Sequence, residues 1–467
     1  MAQTKADTSH TPSVATASVA ASAAASKSGQ PSSLSQLSPL KVCVFGLWHL
    51  GSVTAACLAD MGLIVSGLDF NEKVVADLRK GEPPLYEPDL AELVKKNIAA
   101  GRLSFHTKPA DALLAADYLW VAFDTPVDEN DVADLDFVEK NLLKIVDSIP
   151  HGMKIIISSQ APAGFVRRIE KLFAEKQPSK AFYFACSPEN LRLGAAIRAF
   201  REPARIIIGV RDYAHIDFFS PLFSKITSNL EWMKIESAEM TKHAINSFLA
   251  VSIAFTNEIA LICEAVGANA KEVERGLKTE PRIGQKAYVG PGLAFAGGTL
   301  ARDINYLVDH SDVHGKKSVL LRAIRASNDH HKHWIREKCA SLYPKLRGVT
   351  FGILGLAYKP NTNTLRRSSS VELCEWLHAN GAIIHAYDPQ VDSLPSHLAS
   401  QITLHKNAAA MLPLVDCIVV ATEHPQFREL YAANKKLFTR KTLIDPTGMF
   451  EKDVADVRYA SVGRITS

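Results

Sequence analysis

The sequence contains no Cys-x-x-Cys pair. Its seven cysteines, Cys43, Cys57, Cys186, Cys263, Cys339, Cys374 and Cys417, stand singly, which excludes a zinc ribbon and a thioredoxin-type redox motif. An odd, dispersed set fits reduced thiols in a cytoplasmic protein. No uninterrupted apolar run is long enough to span a bilayer. Charge of either sign is scarcely in excess, with 53 Lys plus Arg against 49 Asp plus Glu and a net +4. Without a clustered basic footprint, nucleic acid is not an expected partner. Neither a membrane nor a metal ion is called for by any motif.

What is present is ordinary globular material: 467 residues, 47% apolar and 22% charged. That length carries a prior of about three domains. The first 40 residues differ, since 26 of them are Ala, Ser, Thr or Pro, none is aromatic, and only Lys5, Asp7 and Lys27 are charged. Such a stretch cannot bury enough apolar surface to offset its ordering entropy, so a disordered tail is expected. It lacks the compact apolar core of a secretory signal and the arginines of a transit peptide.

The body opens with an apolar run, Val42–Phe45, a turn Gly46-Leu47-Trp48-His49-Leu50-Gly51, a helical pattern through Met61, and a second run, Ile64–Leu68, ending at Asp69. This is the layout of a dinucleotide-binding βαβ unit, with the acid 23 residues beyond the first glycine. Gly46 permits the tight turn, and the helix behind it offers free amides to a pyrophosphate. Asp69 is placed to accept from ribose hydroxyls, which favours NAD over NADP. Trp48 stands where the middle glycine of the fingerprint belongs.

Further apolar runs at Tyr118–Phe123, Lys154–Ile157, Ala181–Ala185 and Arg205–Val210 extend a parallel sheet to about residue 225. Residues 236–268 lack Gly and Pro until Gly267 and predict one long, largely buried helix. A second βαβ signal comes late, in Val349–Gly355, Ser368–Asn380 with Gly381 as its cap, and Ile383–Tyr387 before Asp388-Pro389; Cys417–Ala421 is a further buried strand. The expected fold is α/β, two doubly wound parallel-sheet domains joined by a helical one. The expected division is a tail (1–40), an NAD-binding domain (41–228), a helical domain (229–340) and a second α/β domain (341–467).

Several separated stretches narrow this further. Pro84-Leu85-Tyr86-Glu87-Pro88, Asp124-Thr125-Pro126, Ser187-Pro188-Glu189-Asn190-Leu191, the segment Glu239–Asn246, Arg282-Ile283-Gly284, Gly355–Ser369 and Tyr387-Asp388-Pro389 together resemble the UDP-glucose/GDP-mannose dehydrogenase family over essentially all of residues 40–464. The resemblance implies NAD as cofactor, a UDP-sugar as substrate, a homodimer or higher homo-oligomer, and a place in polysaccharide biosynthesis. It implies cofactor contacts at Gly46, Leu50, Gly51, Asp69, Lys73, Thr125 and Arg366. Substrate contacts follow at Glu189, Leu191, Lys242, Asn246, Arg282, Phe295, Gly297 and Lys359, with Arg282 reaching a neighbouring subunit's sugar. Lys242 and Asn246 lie four residues apart on one helix face, where an ammonium and an amide can hold a developing alkoxide. Glu189 and Asp303 are the carboxylates that the resemblance places around a proton-relaying water.

The stretch Gly292–Asp303 is similar to the family's Gly-Phe-Gly-Gly-Ser-Cys-Phe-Pro-Lys-Asp motif when Phe295 and Asp303 are matched. Thr299 then occupies the place of the catalytic Cys, Arg302 that of the Lys and Ala301 that of the Pro. Gln160 replaces the Thr of a Ser-Thr-x-Pro loop, and Leu193 replaces a second carboxylate near Glu189. The family's thiolate captures an aldehyde and carries it to a thioester; a hydroxyl is a weak nucleophile without a dedicated base. Three readings stand: oxidation of the C6 hydroxyl of UDP-glucose or a close UDP-hexose to the uronate through an aldehyde hydrate, a single two-electron oxidation, or a nucleotide-sugar-binding relative without turnover. The β-hydroxyacid dehydrogenase class also has a Lys-x-x-x-Asn helix but lacks a second nucleotide-type domain.

Overall fold

In the computed structural model of the protein, residues 39–126, 134–189, 191–296, 298–360, 362–451, 454 and 456–464 are described. The tail expected over 1–40, save its last two residues, and Gly297 lie outside them.

Eight strands form the first sheet: β1 (Lys41–Phe45), β2 (Ile64–Leu68), β3 (Leu103–His106), β4 (Tyr118–Val121), β5 (Met153–Ile157), β6 (Phe182–Cys186), β7 (Ile206–Val210) and β8 (Leu230–Lys234). Their order is β3-β2-β1-β4-β5-β6-β7-β8. The chain order reverses between β1 and β4, which opens a crevice at the carboxyl ends of those strands, the usual ligand position of an open α/β sheet. The central strands are apolar on both faces because helices cover both, and one buried cluster lies on each side. The first helix, His49–Asp60, is buried from Leu50 to Ala59, as befits a helix wedged between sheet and neighbours.

Two features depart from the expected parallel sheet. β6 and β7 pair antiparallel, with Ala185 opposite Val210, because the connection between them stays at the carboxyl end of β6 instead of crossing back over the sheet. β8, beyond the expected limit of the sheet, pairs parallel with β7 and runs straight into the central helix, Ile235–Val266. That helix ends at Gly267 in the left-handed region, φ +80. At 32 residues it is about 48 Å long. Its length and composition alone would let it cross a bilayer, yet its Glu239, His243 and Asn246 are buried against protein.

Helices Thr299–Val313 and Val319–His331 pack on the central helix around Ala250, Ala254, Phe295, Ile304 and Ile324. The second sheet comprises β9 (Thr350–Leu354), β10 (Ile383–Tyr387), β11 (Thr403–Leu404), β12 (Cys417–Val420), β13 (Thr442–Ile444) and β14 (Arg458–Ala460). It is wholly parallel, in the order β11-β10-β9-β12-β13-β14.

Candidate active site

The turn after β1 requires glycine twice. Gly46 has φ +91, and a Cβ there would lie 2.7 Å from the Phe123 ring. A Cβ on Gly51 would fall 1.6 Å from the Gly46 carbonyl oxygen. These approaches bring strand and helix together as a dinucleotide turn needs. Trp48 stands at φ −75 and ψ −148 with an exposed side chain, so the residue in place of the middle glycine keeps its ring out of the core. Asp69 is half-buried just beyond β2; its Oδ2 accepts from Leu47 N at 2.8 Å and its Oδ1 from Asn71 N at 2.9 Å. A carboxylate offers about four acceptor sites, so it keeps capacity for ribose hydroxyls. Turn, helix start and acid fit a dinucleotide. Lys73 is exposed and ion-paired with Asp77, and Arg366 is exposed on the loop after β9; among the described residues neither bonds to the turn.

Side-chain hydroxyls stitch the loops after β4, β5 and β6 together. Phe123 N donates to Ser159 Oγ at 2.9 Å, Thr125 Oγ1 to the Gln160 carbonyl at 2.8 Å, and Ser158 Oγ to the Ser187 carbonyl at 2.7 Å. Buried Glu87 fixes the far end of the third loop, accepting from Gly194 N and Ala196 N, each at 2.8 Å, and lying 2.9 Å from His49 Nε2. Glu189 sits on this loop with one oxygen, Oε2, turned to the Leu191 amide. Its backbone carbonyl accepts from Lys242 Nζ at 2.6 Å. The two sequence-predicted residues therefore meet, through main chain rather than through carboxylate.

Glu239 sets the height of the central helix against this wall. Its carboxylate accepts from Gly164 N at 2.7 Å and Val166 N at 2.9 Å, capping helix Phe165–Lys176. Burial raises its pKa against the pull of those two amides. The register then delivers His243 and Asn246 to Asp303, which is 0% exposed. Asp303 Oδ1 accepts from Gln160 Nε2 at 2.7 Å and faces His243 Nδ1 at 3.0 Å, while Oδ2 accepts from Asn246 Nδ2. His243 Nε2 lies 2.9 Å from the Ala161 carbonyl, so it carries a proton there. Arg302 closes the ring by donating to Gln160 Oε1.

Thr299 opens helix Thr299–Val313 as an exposed residue, and among the described residues no base is hydrogen-bonded to its hydroxyl. No thiol stands in for it. All seven cysteines are free and buried, and burial, with Glu239 and Glu236 adding, pushes Cys186 far above the thiol range. Phe295 belongs to the core, not to a lining: its side chain packs beside Ile304 and its backbone is clamped on both sides by Asn328 at 2.9 Å. Leu191 is half-buried by Glu189, and Arg282 is exposed beside Glu280.

A cleft of about 230 Å³ separates the segment 292–296 from the second sheet, lined among others by Lys332, Arg336, Tyr358 and Lys359. Three cations in one cleft suit a diphosphate. Burial lowers the Lys359 pKa, while Glu87 opposes the shift.

His243 and Asn328 were not among the residues singled out, and Gln160 and Arg302 stood out only as departures from motif positions. His243 had a usable signal, a histidine three residues before Asn246 and thus on nearly the same face. Among the described residues no group of three His, Cys, Asp or Glu is placed to hold a metal ion.

Known proteins place this geometry in a family. Family models match residues 40–227 as the NAD binding domain, 236–330 as the central domain and 352–462 as the UDP binding domain of the UDP-glucose/GDP-mannose dehydrogenases. The chain is 31% identical over 431 residues to UDP-glucose 6-dehydrogenase TuaD of Bacillus subtilis (strain 168), covering 91% of this chain and 93% of that one. It is 32% identical over 438 residues to the UDP-glucose 6-dehydrogenase of Rhizobium meliloti (strain 1021), covering 91% and 100%. A solved UDP-glucose dehydrogenase from the hyperthermophilic archaeon Pyrobaculum islandicum superposes with a TM-score of 0.82 at 29% identity, covering 93% of this chain and all of that one. The chain belongs to the UDP-glucose/GDP-mannose dehydrogenase family and is an NAD-dependent oxidoreductase acting on the CH–OH group of a UDP-sugar.

Proposed function

We propose that the protein oxidises the C6 hydroxyl of UDP-glucose, or of a close UDP-hexose, and does so without an enzyme-bound thioester. The supporting observation is the Lys242, Asn246 and Asp303 set together with a Thr299 hydroxyl that has no base among the described residues, with every cysteine buried. NAD seated at the Gly46–Gly51 turn supplies the hydride acceptor. Lys242 Nζ and Asn246 Nδ2 hold the sugar oxygen as charge develops on it. Glu189 Oε1, which has no partner among the described residues, takes the hydroxyl proton through a water. Asp303 orients Asn246, since its own oxygens are occupied by Gln160, His243 and Asn246. Lys332, Arg336 and Lys359 hold the UDP diphosphate in their cleft. With no thiolate to capture the aldehyde, the uronate is reached through the aldehyde hydrate.

The enclosure of Asp303 favours a second reading, release of the aldehyde after one oxidation, because a buried and fully engaged carboxylate is a poor base for the hydrating water. Counting NADH formed per UDP-glucose consumed separates the two: two per sugar supports the uronate route, and one supports aldehyde release. No NADH with any UDP-hexose, despite NAD binding, would overturn both.

Self-association fits the same reading. Phe248, Phe255, Ile262 and Val266 form an exposed stripe along the central helix at spacings of seven, seven and four. In such an assembly the exposed Arg282 of one copy is available to the sugar bound by its neighbour. The free thiols suit a cytoplasmic location.

A further inference from the structure

Asp124 follows β4 in a segment whose backbone cannot move freely. Phe123 N on one side is bonded to Ser159 Oγ at 2.9 Å, and buried Thr125 on the other is bonded to the Gln160 carbonyl at 2.8 Å. The Asp124 side chain crosses to the first helix, where Oδ2 accepts from Leu50 N at 3.0 Å. Leu50 is the second residue of that helix, so its amide has no partner within the helix. It is one of the amides that the pyrophosphate of a dinucleotide takes at a βαβ turn. Two anions cannot share one amide. We infer that Asp124 is a built-in competitor for the cofactor's pyrophosphate, so that seating the dinucleotide requires this carboxylate to swing away or to take up a proton.

Phe123 N and the Thr125 hydroxyl hold the segment on either side, so the swing is a side-chain rotation of a residue that is exposed as a whole while its carboxyl, turned to Leu50 N, is desolvated. The surroundings also favour the protonated form. Desolvation of the carboxyl, with Glu189 from the loop after β6 adding, pushes it up to about 6 against the pull of the Leu50 amide and of His49 on the first helix. The sign follows: if the dinucleotide binds the protonated or displaced form, binding takes up protons and strengthens as pH falls toward 6. His49 faces Asp124 from the first helix in the wild type and in an Asp124 variant alike, so the difference between them isolates Asp124.

The inference uses only NAD binding and is independent of which sugar is oxidised. NADH titrated by its fluorescence into the full-length protein tests it, with adenosine as a probe that has no phosphate. Asp124→Asn keeps an oxygen for Leu50 N but removes the charge. It is expected to bind NADH about tenfold tighter than wild type near pH 8, the two converging to within about twofold near pH 5.5. Adenosine should bind both equally. Asp124→Ala, which removes the acceptor altogether, should also gain NADH affinity, and thermal melting checks that each variant is folded. Unchanged or weaker NADH binding by both variants at about pH 8 would overturn the inference, as would an equal gain for adenosine.

Discussion

The two sheets open their ligand crevices with the same device and use it differently. Gly46 ends β1 at φ +91 and Gly355 ends β9 at φ +92. Gly46 N donates to the Leu68 carbonyl at 2.9 Å, and Gly355 N to the Tyr387 carbonyl at 2.8 Å. Each next strand ends in an acid that grips the turn: Asp69 takes Leu47 N, and Asp388 takes Leu356 N at 2.7 Å and Ala357 N at 2.8 Å. Asp69 stops there with room for a ribose. Asp388 also takes Gln390 N at 2.8 Å, lies 3.6 Å from His424 and is only 3% exposed. Burial alone would raise its pKa, but His424 and the three amides hold it below the usual carboxylate range. One acid keeps acceptor capacity and the other is fully engaged as a structural staple.

The helix starts differ as well. The first helix begins three residues after Gly46, presenting its amides at the turn, whereas its counterpart, Ser369–Ala379, begins fourteen residues after Gly355. The intervening loop carries Tyr358 and Lys359 into the diphosphate cleft. A short turn suits backbone recognition of a dinucleotide, and a long one supplies cationic side chains to a nucleoside diphosphate.

Exchanging the acids for alanine should separate these uses most sharply. Asp388→Ala strands three buried amides and should cost about 3 kcal/mol of stability by denaturant unfolding. Asp69→Ala should cost under about 1 kcal/mol while weakening NAD binding about tenfold, since its loss removes hydrogen bonds between ligand and a charged group. Equal stability losses would erase the distinction. The staple should also be pH-dependent. Because folding lowers the Asp388 pKa, its contribution is present above the unfolded value of about 3.9 and fades as pH falls through the folded one. The stability gap between wild type and Asp388→Asn should therefore shrink on acidification below about pH 4. Thr422, whose hydroxyl donates to the Ala357 carbonyl at 2.8 Å, is the weaker brace; Thr422→Val should cost about 1 kcal/mol and leave NAD affinity unchanged.

What the sequence made legible is what local spacing encodes. The interval from Gly46 to Asp69, the Gly- and Pro-free run of the central helix and the late βαβ signal all correspond to structure. Lys242 and Asn246, four residues apart, lie on one helix, where Lys242 meets the Glu189 carbonyl and Asn246 meets Asp303. The misses are contacts between distant segments. Gln160 and Asp303 are 143 residues apart, and Leu50 and Asp124 are 74 apart; no periodicity reports such pairs. Strand direction was missed for a related reason. The apolar run of β7 reads the same whichever way it pairs, and only the path of the connection decides. Phe295, expected as a substrate contact, turns its side chain into the core, because a motif position carries no statement of which way a side chain turns.

In the proposed function Lys242 and its neighbours carry the chemistry and Thr299 is no nucleophile. The most direct measurement is the kcat for NADH formation from UDP-glucose by Lys242→Ala and Thr299→Ala side by side, with thermal melting to confirm folding. Lys242→Ala is expected to lose about 100-fold or more, and Thr299→Ala to stay within about threefold of wild type. A Thr299→Ala variant as inactive as Lys242→Ala would contradict the account and make the hydroxyl the nucleophile.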